Sequence, residues 1–311
     1  MVSVAAAAGD RTRVRPAGAG DAGRRTARGA AQRSAGAVLI RQWAAVVRRE
    51  WQVQRRYPVS MVNTVLLTPL YQLALPTLLL GSAFVVGNQS FGLERETGTG
   101  DLGGWIGTGV LAAALTVGAV TSVYNTLDAD RVTGVMEHSW STPAPRHVYV
   151  VGAVLTGTMF GGAAGIVLIA IAIAALNATF APLGVLLCLP AALALVIGNC
   201  GFGYLVAAAL LTLRQADILV EVTTMFFVVF SGVMFPLTLL PDAARWPTYL
   251  VPGTWALDLI RHLTLDARPL APLLVEVVAA AVTSTAWLAL GLVAFRAAER
   301  HQQVNGTLSQ F

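Results

Sequence analysis

RHVYVVGAVLTGTMFGGAAGIVLIAIAIAALNATFAPLGVLLCLPAALALVIGNCGFGYLVAAALLTLR, residues 146–214, has an arginine at each end and no Arg, Lys, Asp or Glu on the 67 residues between them. A hydrocarbon layer about 30 Å thick asks for roughly 20 apolar residues per helix. The stretch is therefore long enough for two crossings and a turn. The turn is marked by NATFAP at 177–182, where Asn and Pro supply breaker chemistry, so spans are expected near 148–176 and 183–211.

The same reading extends outward in both directions. The chain is 56% hydrophobic and 12% charged, against roughly 25% charged for a soluble domain, and most of it cannot be a water-facing surface. Gaps between charges place further spans at about 59–86, bent at Pro69 or Pro76, at 103–126, at 217–235 and at 273–295. The fold class expected is all-α integral membrane with six transmembrane helices, residues 58–296 forming the spanning domain.

Residues 1–36 hold Ala, Gly and seven arginines with almost nothing apolar to bury, the composition of a disordered basic arm. No apolar stretch follows at signal-peptide distance, and the arm is not expected to be cleaved. Residues 37–57 place Ile40, Trp43, Val47 and Trp51 on one stripe, with Arg48 and Arg49 elsewhere on the helix. Tryptophan and arginine on an amphipathic helix describe one lying in the membrane interface, in contact with lipid. Residues 297–311 form a polar tail.

Orientation follows from arginine counting. With both termini inside, the inner segments hold 17 of the 21 arginines and the outer segments hold Arg95, Arg245, Arg261 and Arg268. Both termini and the polar loop 128–147 are thereby expected in the cytoplasm of a bacterial cell, on the inner face of its plasma membrane. The segment 236–263 carries Pro236, Pro241, Pro247 and Pro252 among apolar residues. Proline at that density forbids one continuous helix, and broken helix at membrane depth is tolerated only where it is buried in protein or lines a cavity. A broken, re-entrant helical pair in the outer leaflet between spans five and six is the expected form.

Several chemistries drop out. The sequence contains no lysine, which removes the GxxxxGK[ST] phosphate loop and lysine Schiff-base catalysis. None of the four histidines falls inside an expected span and no metal cluster is supported. Neither HExxH nor GxSxG occurs, so catalytic residues and metal ligands are both expected to be none. Cys188 and Cys200, twelve apart on one expected helix, are about 18 Å apart and too far for a disulfide. Nothing points to nucleic acid.

Two motifs carry a resemblance. In the loop, Arg131, Gly134, Met136-Glu137, Thr142-Pro143 and Arg146 follow in order. After the fifth span, Phe230, Ser231, Gly232, Phe235 and Pro236 lead to Leu240-Pro241 and then Arg261. On these the chain resembles the permease subunit of an ABC-2 type exporter, the class that includes daunorubicin-resistance and nodulation-factor permeases, over roughly residues 38–296. Where the family commonly has Asn-Pro, this chain has Val251-Pro252. The resemblance implies a non-catalytic transport subunit working as two copies or beside a homologous half. It would be driven by two copies of a separate ATP-binding subunit that binds the ATP and Mg, this chain binding no cofactor. Implied cargo is a hydrophobic or amphipathic drug, natural product or lipid-like molecule moving outward.

The residues of the loop suit docking. Thr133 can cap a short helix, Met136 and Trp140 fall at i and i+4 on one face, and Pro143 disfavours helix at Thr142. So short a helix is marginal alone in water and needs a partner to pack on. The coupling set is Arg131, Gly134, Met136, Glu137, Trp140, Pro143 and Arg146. Arg214, Asp217 and Glu221 share a face at the start of span five, and an ionisable residue such as Glu221 inside a span is a functional candidate. With Glu221, the run Met225, Phe226, Phe227, Phe230, Ser231, Gly232, Met234, Phe235 and Pro236 is the candidate pathway or gate. Glu276, near the outer end of span six, has Arg261 or Arg268 as possible partners. The alternative functions are a membrane-embedded lipid-modifying enzyme, for which convergent polar groups within the spans are scarce, and an ion-driven carrier or channel, for which inverted repeats would be expected.

Overall fold

A computed structural model describes residues 45, 48, 51, 52, 85, 86, 89–134, 146–213, 217–233 and 235–305. All of them belong to one of the two compact units into which the chain divides, residues 45–311. The first span expected at 59–86 lies outside the described residues except at its end. There, β1 (Val85–Val86) pairs antiparallel with β2 (Gln89–Ser90), Val86 opposite Gln89. This four-residue ladder is the one departure from helix among the regular elements described.

The helices follow in order: α1 (Phe91–Thr97), α2 (Leu102–Val132), α3 (His147–Leu176), α4 (Pro182–Leu187), α5 (Leu189–Thr212), α6 (Asp217–Phe230), α7 (Asp242–Arg245), α8 (Pro252–Leu265) and α9 (Leu273–Asn305). Single turns of 3-10 helix at Leu237–Leu239 and Trp246–Leu250 flank α7. Four helices, α2, α3, α5 and α9, are long and apolar enough to cross a membrane.

Each start and stop has a local cause. The Asp101 carboxylate accepts from the Gly104 amide at 2.8 Å and starts α2, a side-chain cap on an otherwise orphan donor. Its other oxygen accepts from the Thr179 amide at 2.7 Å, tying the 177–182 turn to the head of α2. Asn177 ends α3 in the left-handed region at φ 49°, a conformation asparagine tolerates better than most residues. The crossing expected at 183–211 is divided at Cys188 into α4 and α5, because Pro190 has no N–H to donate back one turn. At the far end α9 runs on to Asn305, so residues expected in a C-terminal tail continue the last helix.

The fifth helix is shorter than 217–235. With 14 residues, α6 spans about 21 Å, less than the hydrocarbon thickness. It stops at Ser231-Gly232, where Gly232 has φ 72°.

Helices α2 and α5 form the centre. Of their most apolar stretches 67% is buried, against 28% for α3 and 17% for α9. Close approach comes from glycine, as in membrane bundles generally. A Cβ on Gly157 of α3 would strike the Gly118 carbonyl of α2, one on Gly161 the Ala114 carbonyl, and one on Gly291 of α9 the Gly201 carbonyl of α5. His147, expected just outside a span, opens α3 and sets its ring 5.8 Å from Tyr204 and 5.7 Å from Phe295.

Candidate functional site

The two motif regions lie at opposite ends of α2. Trp105 and Arg131 are 26 residues apart on that helix, about 39 Å at 1.5 Å per residue.

At the loop end, the last carbonyls of α5 have no partner within their helix. Arg131 supplies one from the neighbouring helix. Its Nη1 donates to the Leu210 carbonyl at 3.4 Å and the Leu213 carbonyl at 3.3 Å. Gln302 of α9 donates to the Leu211 carbonyl between them. Arg146, at the head of α3, donates to Glu299 Oε1 of α9 at 3.2 Å in a half-buried ion pair. Both stems of the loop are thus pinned, one to α5 and the other to α9. Glu299 and Gln302 were not singled out from sequence, since both follow the last span where a solvated tail was expected.

Thr133 closes α2, and the helix it was read as capping lies outside the described residues. Its hydroxyl donates to the Ala129 carbonyl at 2.7 Å, and Gly134 then leaves α2 at φ 71°. Met136, Glu137, Trp140 and Pro143 lie outside the described residues. So do Trp43 and Arg49 of the interfacial stripe. Arg48 and Trp51 are helical and exposed, and the Trp51 ring stacks on Phe160 of α3 with centroids 5.6 Å apart.

At the other end the organising group is Arg261 of α8, 3% exposed. Its Nη1 donates to the Gly232 carbonyl at 2.7 Å, and its Nη2 to the carbonyls of Val233 and Trp105 at 3.0 and 3.1 Å. Nε donates to the Thr108 hydroxyl oxygen at 3.3 Å. The Arg261 guanidinium carbon also sits 3.6 Å from the centroid of the Trp105 ring, a cation–π geometry. Planar, five-donor guanidinium is the side chain able to satisfy so many diverging acceptors at once. It holds the end of α6, the head of α2 and α8 together.

The proposed pathway residues divide around this hub. Ser231, Gly232 and Pro236 line a cavity of about 40 Å³ with Asp258, Arg261 and Thr254. The Ser231 hydroxyl donates to the Phe227 carbonyl at 2.5 Å, and Phe235 is half-buried. Phe227 is fully buried against Phe202, while Phe226 and Phe230 stack on each other at 4.7 Å. Met225 and Glu221 are exposed on α6. Met234, Arg214 and the side chain of Asp217 lie outside the described residues.

Glu276 does not meet Arg261 or Arg268. It is fully buried at the head of α9, where its Oε1 accepts from the Ala271 amide at 3.3 Å. Its side-chain neighbour is Asp258 of α8. Sequence spacing concealed this pair because a chain reversal at 266–272 brings the two helices together.

A bundle of long apolar helices with a broken, arginine-centred segment at one end defines a polytopic membrane protein. Its family follows from comparison: residues 41–265 match the ABC-2 type transporter family, and the chain belongs to it. No match is found among curated proteins. The chain is therefore a membrane-embedded permease subunit of an ABC transporter, and association with an ABC ATP-binding subunit follows from the family.

Proposed function

We propose that this chain is the permease half of an exporter that moves a hydrophobic or amphipathic molecule outward across the bacterial plasma membrane, with both termini cytoplasmic. Two permease halves, identical or homologous, work with two ATP-binding subunits that carry the ATP and Mg. The loop around Glu137 and Trp140 is where those subunits dock.

The observation that carries this reading is the pinning of both loop stems. A force on the loop reaches α5 through Arg131 and α9 through Arg146–Glu299, so displacement of the loop displaces one central helix and one peripheral helix together. Swinging a two-state element from 1:99 to 99:1 takes about 5.5 kcal/mol, and a loosely tethered loop would dissipate such a stroke. Glu221 and the Phe226, Phe227 and Phe230 run form the pathway in this scheme, on α6, which packs against α2 and α5. The absence of lysine leaves ATP hydrolysis to the partner.

The test is co-expression with the ATP-binding subunit. Glu137→Ala and Trp140→Ala are each expected to reduce co-purification and lower ATP-driven export at least about tenfold, a loss of about 1.4 kcal/mol of coupling. Assembly and export at unchanged levels in both variants would remove the docking assignment.

A further inference from the structure

Asp258 and Glu276 meet where α8 packs on the head of α9. The two carboxyl side chains are neighbours there. Each also accepts one backbone amide from the connecting turn: Leu270 donates to Asp258 Oδ2 at 2.9 Å and Ala271 to Glu276 Oε1 at 3.3 Å. The remaining oxygen, Glu276 Oε2, is completely buried and meets no N–H or O–H donor. A buried acceptor left this way is costly. Two carboxylates can hydrogen-bond only if one of them carries a proton, and that proton is what the arrangement lacks.

Charge balance gives the same count. Arg261 lies one turn beyond Asp258 on α8 and is buried. One guanidinium beside two ionised carboxylates leaves a net negative charge inside the protein, whereas one proton on the pair makes the cluster neutral. Unpaired buried charge is strongly disfavoured.

Other titratable groups around the pair are few. His262 is on α8 itself, and Glu96 and Arg268 line the cavity on the Asp258 side. Along α9 the next charged residue is Arg296, and α4 and α5 with the junction between them offer only Cys188, Cys200 and Tyr204. Helix α2 has Tyr124 and nothing charged before Asp128, with Asp101 just ahead of it held by Gly104 and Thr179. The turn 246–250 has Tyr249.

We propose that Asp258 and Glu276 form a proton-binding site, at the end of the bundle away from the loop, in which one shared proton clamps the re-entrant helix α8 to the last span α9. Losing the proton turns the clamp into two facing carboxylates, and α8 is released. A link between this clamp and transport rests on the export reading above. The proton site itself does not.

The experiment is infrared difference spectroscopy on the purified full chain in lipid nanodiscs, reading the C=O stretch of a protonated carboxylic acid while the pH is raised from about 5 to about 8. Wild type should show a buried acid band that titrates away. Asp258→Asn and Glu276→Gln each supply an amide donor to the surviving carboxylate, and each alone should abolish that band, while Glu221→Gln leaves it intact. A band lost in only one of the two variants means a lone protonated acid and overturns sharing. If the variants do not fold, wild type alone decides: no titrating acid band in that range refutes the site. Thermal unfolding adds an independent readout. A proton held by the native state but released by the unfolded chain makes stability fall as pH rises, so the wild-type Tm should drop by several degrees over the range and that of Asp258→Asn should stay level.

Discussion

The two arginines that cap helix ends in this protein do so on very different terms. Arg131 reaches two carbonyls of α5 at 3.3–3.4 Å from a half-exposed position. Arg261 reaches three carbonyls and a hydroxyl at 2.7–3.3 Å from a site 3% exposed. Both solve the same problem, orphan acceptors at a helix C-terminus. Water competes for the first set and not for the second, and hydrogen bonds in a low-dielectric interior are both stronger and costlier to break. The contacts at the loop end are therefore easier to break than those at the Arg261 end.

The sharpest way to break that contrast is Arg261→Met. It strands the Gly232 and Val233 carbonyls and leaves the Asp258–Glu276 pair without its neutralising charge, and the expected loss is about 3–5 kcal/mol, seen as collapse of the monodisperse fraction in detergent or a large fall in Tm. Arg261→Lys should rescue little, since an ammonium cannot reproduce the planar fork. A stability loss under about 1 kcal/mol would show that the re-entrant end is not anchored here.

A matched pair of glycines comes next. Gly232 and Gly134 have nearly the same left-handed φ, 72° and 71°. A Cβ on Gly232 would lie 3.0 Å from Leu237 Cγ, and one on Gly134 meets nothing within 4 Å among the described residues. Gly134→Ala should cost only the backbone strain, about 1–2 kcal/mol. Gly232→Ala should cost that plus crowding of roughly another 1 kcal/mol. Equal unfolding midpoints for the two variants would remove the claim that the two ends differ in packing.

The smallest expected effect on stability is at the Arg146–Glu299 pair. Glu299→Gln should change unfolding by about 0–1 kcal/mol. If α9 is driven through this contact, ATP-driven export should nonetheless fall in the same variant while co-purification with the ATP-binding subunit is retained. Normal export would restrict the transmission to Arg131 and α5.

Much of this was legible in the chain because membrane insertion is governed by local composition. Unbroken apolar runs locate α2, α3, α5 and α9 without reference to their neighbours, and Asn177 and Pro190 mark a stop and a break by their own backbone chemistry. The resemblance over Arg131 to Arg146 and Phe230 to Arg261 pointed to the right family. Two things read differently. The fifth helix ends at Phe230 because the Gly232 and Val233 carbonyls find a better partner in Arg261, 29 and 28 residues later. Glu276 pairs with Asp258, and attraction to a nearby arginine was the natural expectation since opposite charges dominate any pairing argument made along the sequence.

What the sequence determined by itself was the solvent each segment occupies, the absence of a lysine-dependent phosphate site and the places where the backbone must break. These depend on one residue or a short run. Only the tertiary structure decided which arginine serves which helix end, that Glu299 and Gln302 belong to the bundle, and that two acids share a site. Those are pairings across 29, 91 and 153 residues of chain or across a reversal, and their energy depends on distance and burial, neither of which exists until the helices are packed.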